Sequence, residues 1–222
     1  MIKTAYLTLE LEEKAKTQKA QHLRGFFANT FSNIDLFHNH NEDGKSIYRY
    51  PLMQYRFLNN RPHITGIAEG SDKLIEKYDS FEDIKIGSNV YKIMEKQLSL
   101  KENKISQIDN YITYRFITPW FALNQDNHKK YLNIENSIEK ENFLEDILTA
   151  NLISLSKGLN YTVKDQIKIK TFLNQIQKPL RIKDQSIITF NGIFRVNMDL
   201  PEYFGIGKSV SKGFGTIIKC NN

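Results

Sequence analysis

The order in which two hydrophobic periods succeed one another restricts the fold more than any other feature. Ala5, Leu7, Leu9 and Leu11 alternate with Thr4, Tyr6, Thr8 and Glu10, the period-two pattern of a half-buried strand. From Thr17 to Phe31 the period changes, and Ala20, Leu23, Phe27 and Phe31 recur at helical spacing. A polar, loop-like stretch from Phe37 to Gly44 follows, closed by the turn-favouring pair Asp43-Gly44. Between Ile47 and Leu58, Met53, Tyr55 and Phe57 share one face, and Asn59-Asn60 turns the chain into a second short strand, His63 to Ile67. Leu74, Ile75 and Tyr78 suit a short helix, and Val90 to Leu100 a closing strand. Strand, helix, strand, strand, helix, strand is the ferredoxin-like order.

Residues 101–109 are mostly polar and mark a boundary, after which the pattern starts again. A strand is expected at Tyr111 to Ile117. Leu144, Leu148, Leu152, Leu155 and Leu159 then define a long helix. Its start carries Glu139, Glu141 and Glu145 and its end Lys157-Gly158, as the macrodipole and the C-cap preference require. Ile167 and Ile169 alternate with Lys168 and Lys170. A later strand places Ile188, Phe190, Phe194, Val196 and Met198 together. A glycine-rich segment stands where the second helix would be. The expectation is an α+β chain of two tandem ferredoxin-like domains, 1–105 and 106–222, the second carrying a C-terminal glycine-rich loop.

Composition removes several classes of function. No run approaches the ~20 apolar residues of a membrane helix. The alternating N-terminus is unlike a signal peptide, so a cytoplasmic address and no membrane partner are expected. The one cysteine, Cys220, allows neither a disulfide framework nor a CxxC zinc site. A net charge of +6 suits a polyanionic partner. Lys164, Lys168, Lys170, Lys178, Arg181 and Lys183 cluster either as a solvated face or as a track for an RNA backbone.

Two stretches bear chemistry. The segment Gly205-Ile206-Gly207-Lys208-Ser209-Val210-Ser211-Lys212-Gly213-Phe214-Gly215 has four glycines that admit a ligand close to the main chain. Successive N–H groups there would form a concavity for phosphate, with Lys208, Lys212, Ser209 and Ser211 as side-chain partners. A long turn into the last strand is the plainer alternative. The spacing fits neither a P-loop nor a dinucleotide fingerprint. His38 and His40 stand two apart in a polar stretch, either an exposed pair or an acid–base dyad able to flank one phosphate. Zinc is a poor rival, because structural zinc usually takes four ligands and no cysteine pair exists. His22, His63 and His128 are read as surface residues, Tyr50 and Tyr55 as packed in the sheet, and Trp120 as a core or interdomain anchor.

The glycine-rich segment resembles that of the RAMP superfamily, which includes the CRISPR repeat-processing endoribonucleases. Leu36-Phe37-His38-Asn39-His40, the run Tyr48 to Tyr55, Gly66 to Gly70, Thr118 to Asn124 and Gly158-Leu159-Asn160-Tyr161 narrow the likeness to the "b" subtype. The resemblance implies two ferredoxin-like domains and a basic surface holding CRISPR repeat RNA, both precursor and crRNA. It implies cleavage without metal or cofactor, leaving a 2′,3′-cyclic phosphate and a 5′-hydroxyl. His38 and His40 match the catalytic histidines and Tyr48 the implicated tyrosine. Lys45 or a lysine of the glycine-rich loop would stabilise the developing charge. RNA contact is expected at Lys45 and at Gly205, Gly207, Lys208, Ser209, Ser211, Lys212, Gly213 and Gly215. A CRISPR effector complex and a second copy of the chain are kept as candidate partners. A RAMP-type subunit that holds crRNA without cutting it is the alternative function.

Overall fold

The computed structural model describes residues 1–38, 50–177, 180–182 and 185–220, with the backbone alone at 38, 181, 182 and 185. They form two compact units: Met1–Asn103 with Val210–Gly213, and Lys104–Ser209 with Phe214–Asn222.

The first unit runs β1 (Ile2–Leu11), α1 (Ala20–Thr30), α2 (Asp35–His38), β2 (Met53–Leu58), β3 (Arg61–Ile67), α3 (Glu69–Lys77), β4 (Asp83–Ile86) and β5 (Asn89–Asn103). Its antiparallel sheet has the order β2-β3-β1-β5-β4. Without the edge strand β4 this is the ferredoxin-like arrangement, the first strand paired centrally between the third and the last. Ala5, Leu7 and Leu9 of β1 are fully buried in one core with Leu23 and Phe27 of α1. The Phe27 ring lies 5.3–5.8 Å from those of Phe81, Tyr55 and Phe37, within the range of favourable aromatic packing. Helical spacing puts Ala20, Leu23, Phe27 and Phe31 on one face, and all four are buried.

The second unit runs β6 (Ser106–Trp120), α4 (Gln125–Asn133), α5 (Ser137–Gly158), β7 (Ile169–Gln175), β8 (Leu180–Ile182), β9 (Gln185–Ile187), β10 (Phe190–Asp199), a 3-10 turn that belongs to the first unit, and β11 (Ile217–Lys219). The sheet order β11-β6-β10-β7 repeats the first topology, and β8-β9 is a separate hairpin. Tyr114, Phe116 and Trp120 of β6 and Phe190, Phe194 and Val196 of β10 are buried, as are Leu148, Leu152 and Leu155 of α5.

Several boundaries differ from the sequence reading. The polar residues 101–109 mostly lie in long strands, and only Lys104 and Ile105 connect β5 to β6. Helix α4, strand β4 and the β8-β9 hairpin escape the sequence reading, because each is short and lacks a sustained apolar period. The left-handed residue that ends α5 is Asn160, with φ of 56°, and not Gly158. Asn160 N–H donates to Lys157 C=O and Tyr161 N–H to Ser156 C=O, the paired bonds of a Schellman cap.

Candidate nucleic-acid interface

The glycine-rich segment is held by Thr118-Pro119-Trp120-Phe121 at the end of β6. Thr118 Oγ1 accepts from Thr216 N–H at 2.8 Å and Pro119 C=O from Gly215 N–H at 2.8 Å. Phe121 C=O accepts from Lys208 N–H at 2.9 Å, and buried Trp120 donates its indole N–H to Asn151 of α5 at 3.3 Å. Gly207 and Gly215 have φ of 100° and 66°, the left-handed region. A Cβ on Gly207 would meet Trp120 Nε1 at 2.6 Å, and one on Gly215 the Ile206 carbonyl oxygen at 1.9 Å. Both glycines are thus demanded by close packing as well as by backbone conformation.

This geometry corrects one expectation. The N–H groups of Ile206, Lys208, Gly213 and Gly215 are all donated to carbonyls within the protein, so the row of donors expected along the segment is interrupted at these four positions. Gly205 and Gly215 are buried and join in a bridge region with Thr216 and Ile206. Side chains are what the segment presents outward: Lys208 is exposed, and Ser209, Ser211 and Lys212 are half-buried. The 3-10 turn Val210–Lys212 and Gly213 belong to the first unit, where the turn packs against β2 and α1.

Of the predicted catalytic residues, His40, Lys45 and Tyr48 lie in 39–49, outside the described residues. His38 ends α2, so a helical turn replaces the loop expected from Phe37 onward. Adjacent residues of β2 hold both flanks of 39–49. Buried Tyr55 donates its hydroxyl to the Phe37 carbonyl at 3.3 Å, and burial pushes that hydroxyl far above the ordinary tyrosine range, keeping it a donor. On the other side, fully buried Gln54 donates to Tyr50 Oη at 2.9 Å and to Pro51 C=O at 3.2 Å, and accepts from Arg56 at 3.1 Å. Sequence alone assigns Tyr55 to packing, because alternation reveals which face a ring occupies and not what its hydroxyl reaches.

His63 is not the surface residue expected. It is half-buried on β3 with Nδ1 3.0 Å from Thr8 Oγ1. Burial, with the Arg56 charge second, pushes its pKa down to about 4. The open face of the second sheet carries cations that sequence clustering missed. Register aligns exposed Arg195 of β10 with exposed Lys170 of β7, and the Arg195 guanidinium lies 5.5 Å from the Tyr111 ring centroid. Exposed Arg115 of β6 shares that face. Of the predicted basic cluster, Lys168 and Lys170 are exposed, whereas Lys178 and Lys183 lie outside the described residues. Among the described residues no group of three or more His, Cys, Asp or Glu side chains could hold a metal ion. No described helix is long and apolar enough to cross a membrane.

Residues 1–104 match the family model for the Cas6b N-terminal domain, and residues 104–220 that for the Cas6b C-terminal domain. An uncharacterized protein of Methanocaldococcus jannaschii is 36% identical over 137 residues, 62% of this chain and 92% of that protein. A Cas6b crystal structure superposes with a TM-score of 0.90 at 32% identity, covering 99% of each chain. A second, of a CRISPR RNA processing endoribonuclease Cas6b, gives 0.78 at 29% identity over 99% of this chain and 100% of that one.

Proposed function

The chain belongs to the Cas6b family, and on that premise we propose that it is the endoribonuclease that cuts CRISPR repeat RNA in the precursor transcript to give crRNA. The observation that carries this reading is a likeness that runs the full length of the chain, both domains included. The cleavage is transesterification: the ribose 2′-hydroxyl attacks the adjacent phosphate, leaving a 2′,3′-cyclic phosphate and a 5′-hydroxyl. Three things must be supplied, namely a base for the 2′-hydroxyl proton, charge stabilisation at the phosphorane, and an acid for the departing 5′-oxygen. His38 and His40 are assigned the two proton transfers, since an imidazole titrating near ~6.5 can give or take a proton at neutrality. Tyr48 orients a histidine or the phosphate, and Lys45 offsets the developing charge. Lys208 and Lys212, with Ser209 and Ser211, are the grip on the RNA backbone. No metal takes part in these steps.

The test is incubation with the host repeat RNA in EDTA, with both product ends identified. A 2′-deoxy sugar before the cut should abolish cleavage. Normal cutting of that substrate, or a requirement for a divalent cation, would sink the mechanism. Tight binding of the repeat without any cutting would instead favour a RAMP-type subunit that only holds crRNA.

A further inference from the structure

A cavity of about 950 Å³ opens in the second unit between the end of β6, the first turns of α4 and strand β9. Its lining is of two kinds. Phe121, Ile187 and Ile188 give it an apolar wall with one aromatic ring, and Lys129 and Lys208 give it positive charge. Among the described residues Asp126 is its one acidic side chain. Both lysines are exposed, and neither forms an ion pair among the described residues, so neither charge is neutralised by Asp126. The main chain of Lys208 is tied to that of Phe121, because its N–H is donated to the Phe121 carbonyl at 2.9 Å.

An apolar wall with an aromatic face, edged by these two cations, matches the halves of a nucleotide. The base has a π-face to lay against a ring, and the phosphate has charge to place between ammonium groups. The volume lies within the roughly 300–1,000 Å³ of sites that enclose a small organic group. In a duplex the base faces are stacked and cannot enter a concavity, so the occupant is an unpaired nucleotide. Resting on the reading of the chain as a repeat-RNA nuclease, we propose that this cavity receives one unpaired nucleotide of the repeat, its base on Phe121 and its phosphate between Lys129 and Lys208. It is thus a recognition subsite that joins Lys208 of the glycine-rich segment to Phe121 and to Lys129 of α4.

The experiment is an abasic scan of the repeat RNA, read as affinity for the full chain. In the wild-type protein, one position should weaken binding by roughly 5- to 150-fold when its base is removed, the range for one stacked base. Phe121→Leu should erase most of that penalty at the same position and leave the penalties elsewhere unchanged. Lys129→Ala should flatten the log–log salt dependence by about 0.7, the value for one neutralised phosphate on a single strand. Should Phe121→Leu fail to fold, Lys129→Ala on α4 decides by itself. A wild-type protein that binds and cuts the repeat, yet has no position whose penalty depends on Phe121 and no change of slope in Lys129→Ala, overturns the cavity assignment alone. Failure of the wild-type protein to bind repeat RNA overturns both this assignment and the nuclease reading.

Discussion

Tyr55→Phe removes one oxygen and leaves the rest of β2 in place. The ring is fully buried, 5.4 Å from the Phe27 ring, and phenylalanine can occupy the same volume. What disappears is the donor to the Phe37 carbonyl, one residue before His38. At 3.3 Å this is a long bond, so its net contribution to stability should be about 1 kcal/mol, raised somewhat by the carbonyl left unpaired. For a chain of this size that lowers Tm by roughly 2–4 °C. Catalysis should suffer more. If His38 transfers a proton, loosening its anchor by a fraction of an ångström should slow single-turnover cleavage by between roughly 3- and 100-fold. Repeat affinity should hold, because no cation is removed. The control is Ile84→Val, a buried change on β4 with a similar cost of about 0.5–1.5 kcal/mol that leaves the hydrogen bond to the Phe37 carbonyl in place. Melting curves, single-turnover rates and binding isotherms are measured on both. Equal rates in the two variants at equal loss of Tm would refute the anchoring role.

His40→Ala should lower single-turnover cleavage by ~10²–10⁴-fold with the repeat still bound, and His38→Ala somewhat less; full activity in the double variant would move the active site elsewhere. Replacing Lys208 and Lys212 by Ala should weaken binding and lower the salt slope by about 0.7–0.9 for each phosphate no longer neutralised, measured by titrations across a salt series. His63, held down to about 4, is neutral in the folded protein but titrates near ~6.5 when unfolded. The stability it contributes is therefore complete above pH 6.5 and is lost as pH falls through the window from there to about 4. Allowing for partial exposure, the loss is on the order of 1–2 kcal/mol. Urea midpoints of His63→Gln should fall less across that window than those of the wild-type protein, and identical pH profiles would exclude the effect.

Much of the fold was legible because period and burial coincide. Leu7 and Leu9, the α1 face and the α5 leucines each announced an element whose core side is the one buried. What escaped was set by partners distant in sequence. Nothing local to Thr118-Pro119 says that its oxygens receive N–H groups from Gly215 and Thr216, about a hundred residues on. Four glycines in eleven residues suggested an open cradle, whereas two of them serve to let main chain and indole approach. Gln54 and Arg56 alternate with Met53, Tyr55 and Phe57 along the strand, yet both are buried. For the candidate site, residue types and spacing singled out Lys208. Phe121, within the stretch Thr118 to Asn124, and Lys129 were not singled out as site residues and become neighbours only through the end of β6 and α4.

Val210–Gly213 completes the first unit, and this bears on the order in which the protein can be made. Val210 is buried, and Gly213 fits so closely that a Cβ there would lie 2.9 Å from the Tyr55 carbonyl oxygen and 3.0 Å from the Ala20 methyl. The ribosome delivers residue 103 long before residue 213. At about 5–20 residues per second the interval is roughly 5 to 20 seconds. Throughout it the nascent first unit has its sheet and helices but lacks the piece that covers β2 and α1. Joining residues so far apart in the chain raises contact order and slows the final step. A gene fragment ending at Asn103 would reproduce that unfinished intermediate, with its bare patch, rather than a domain.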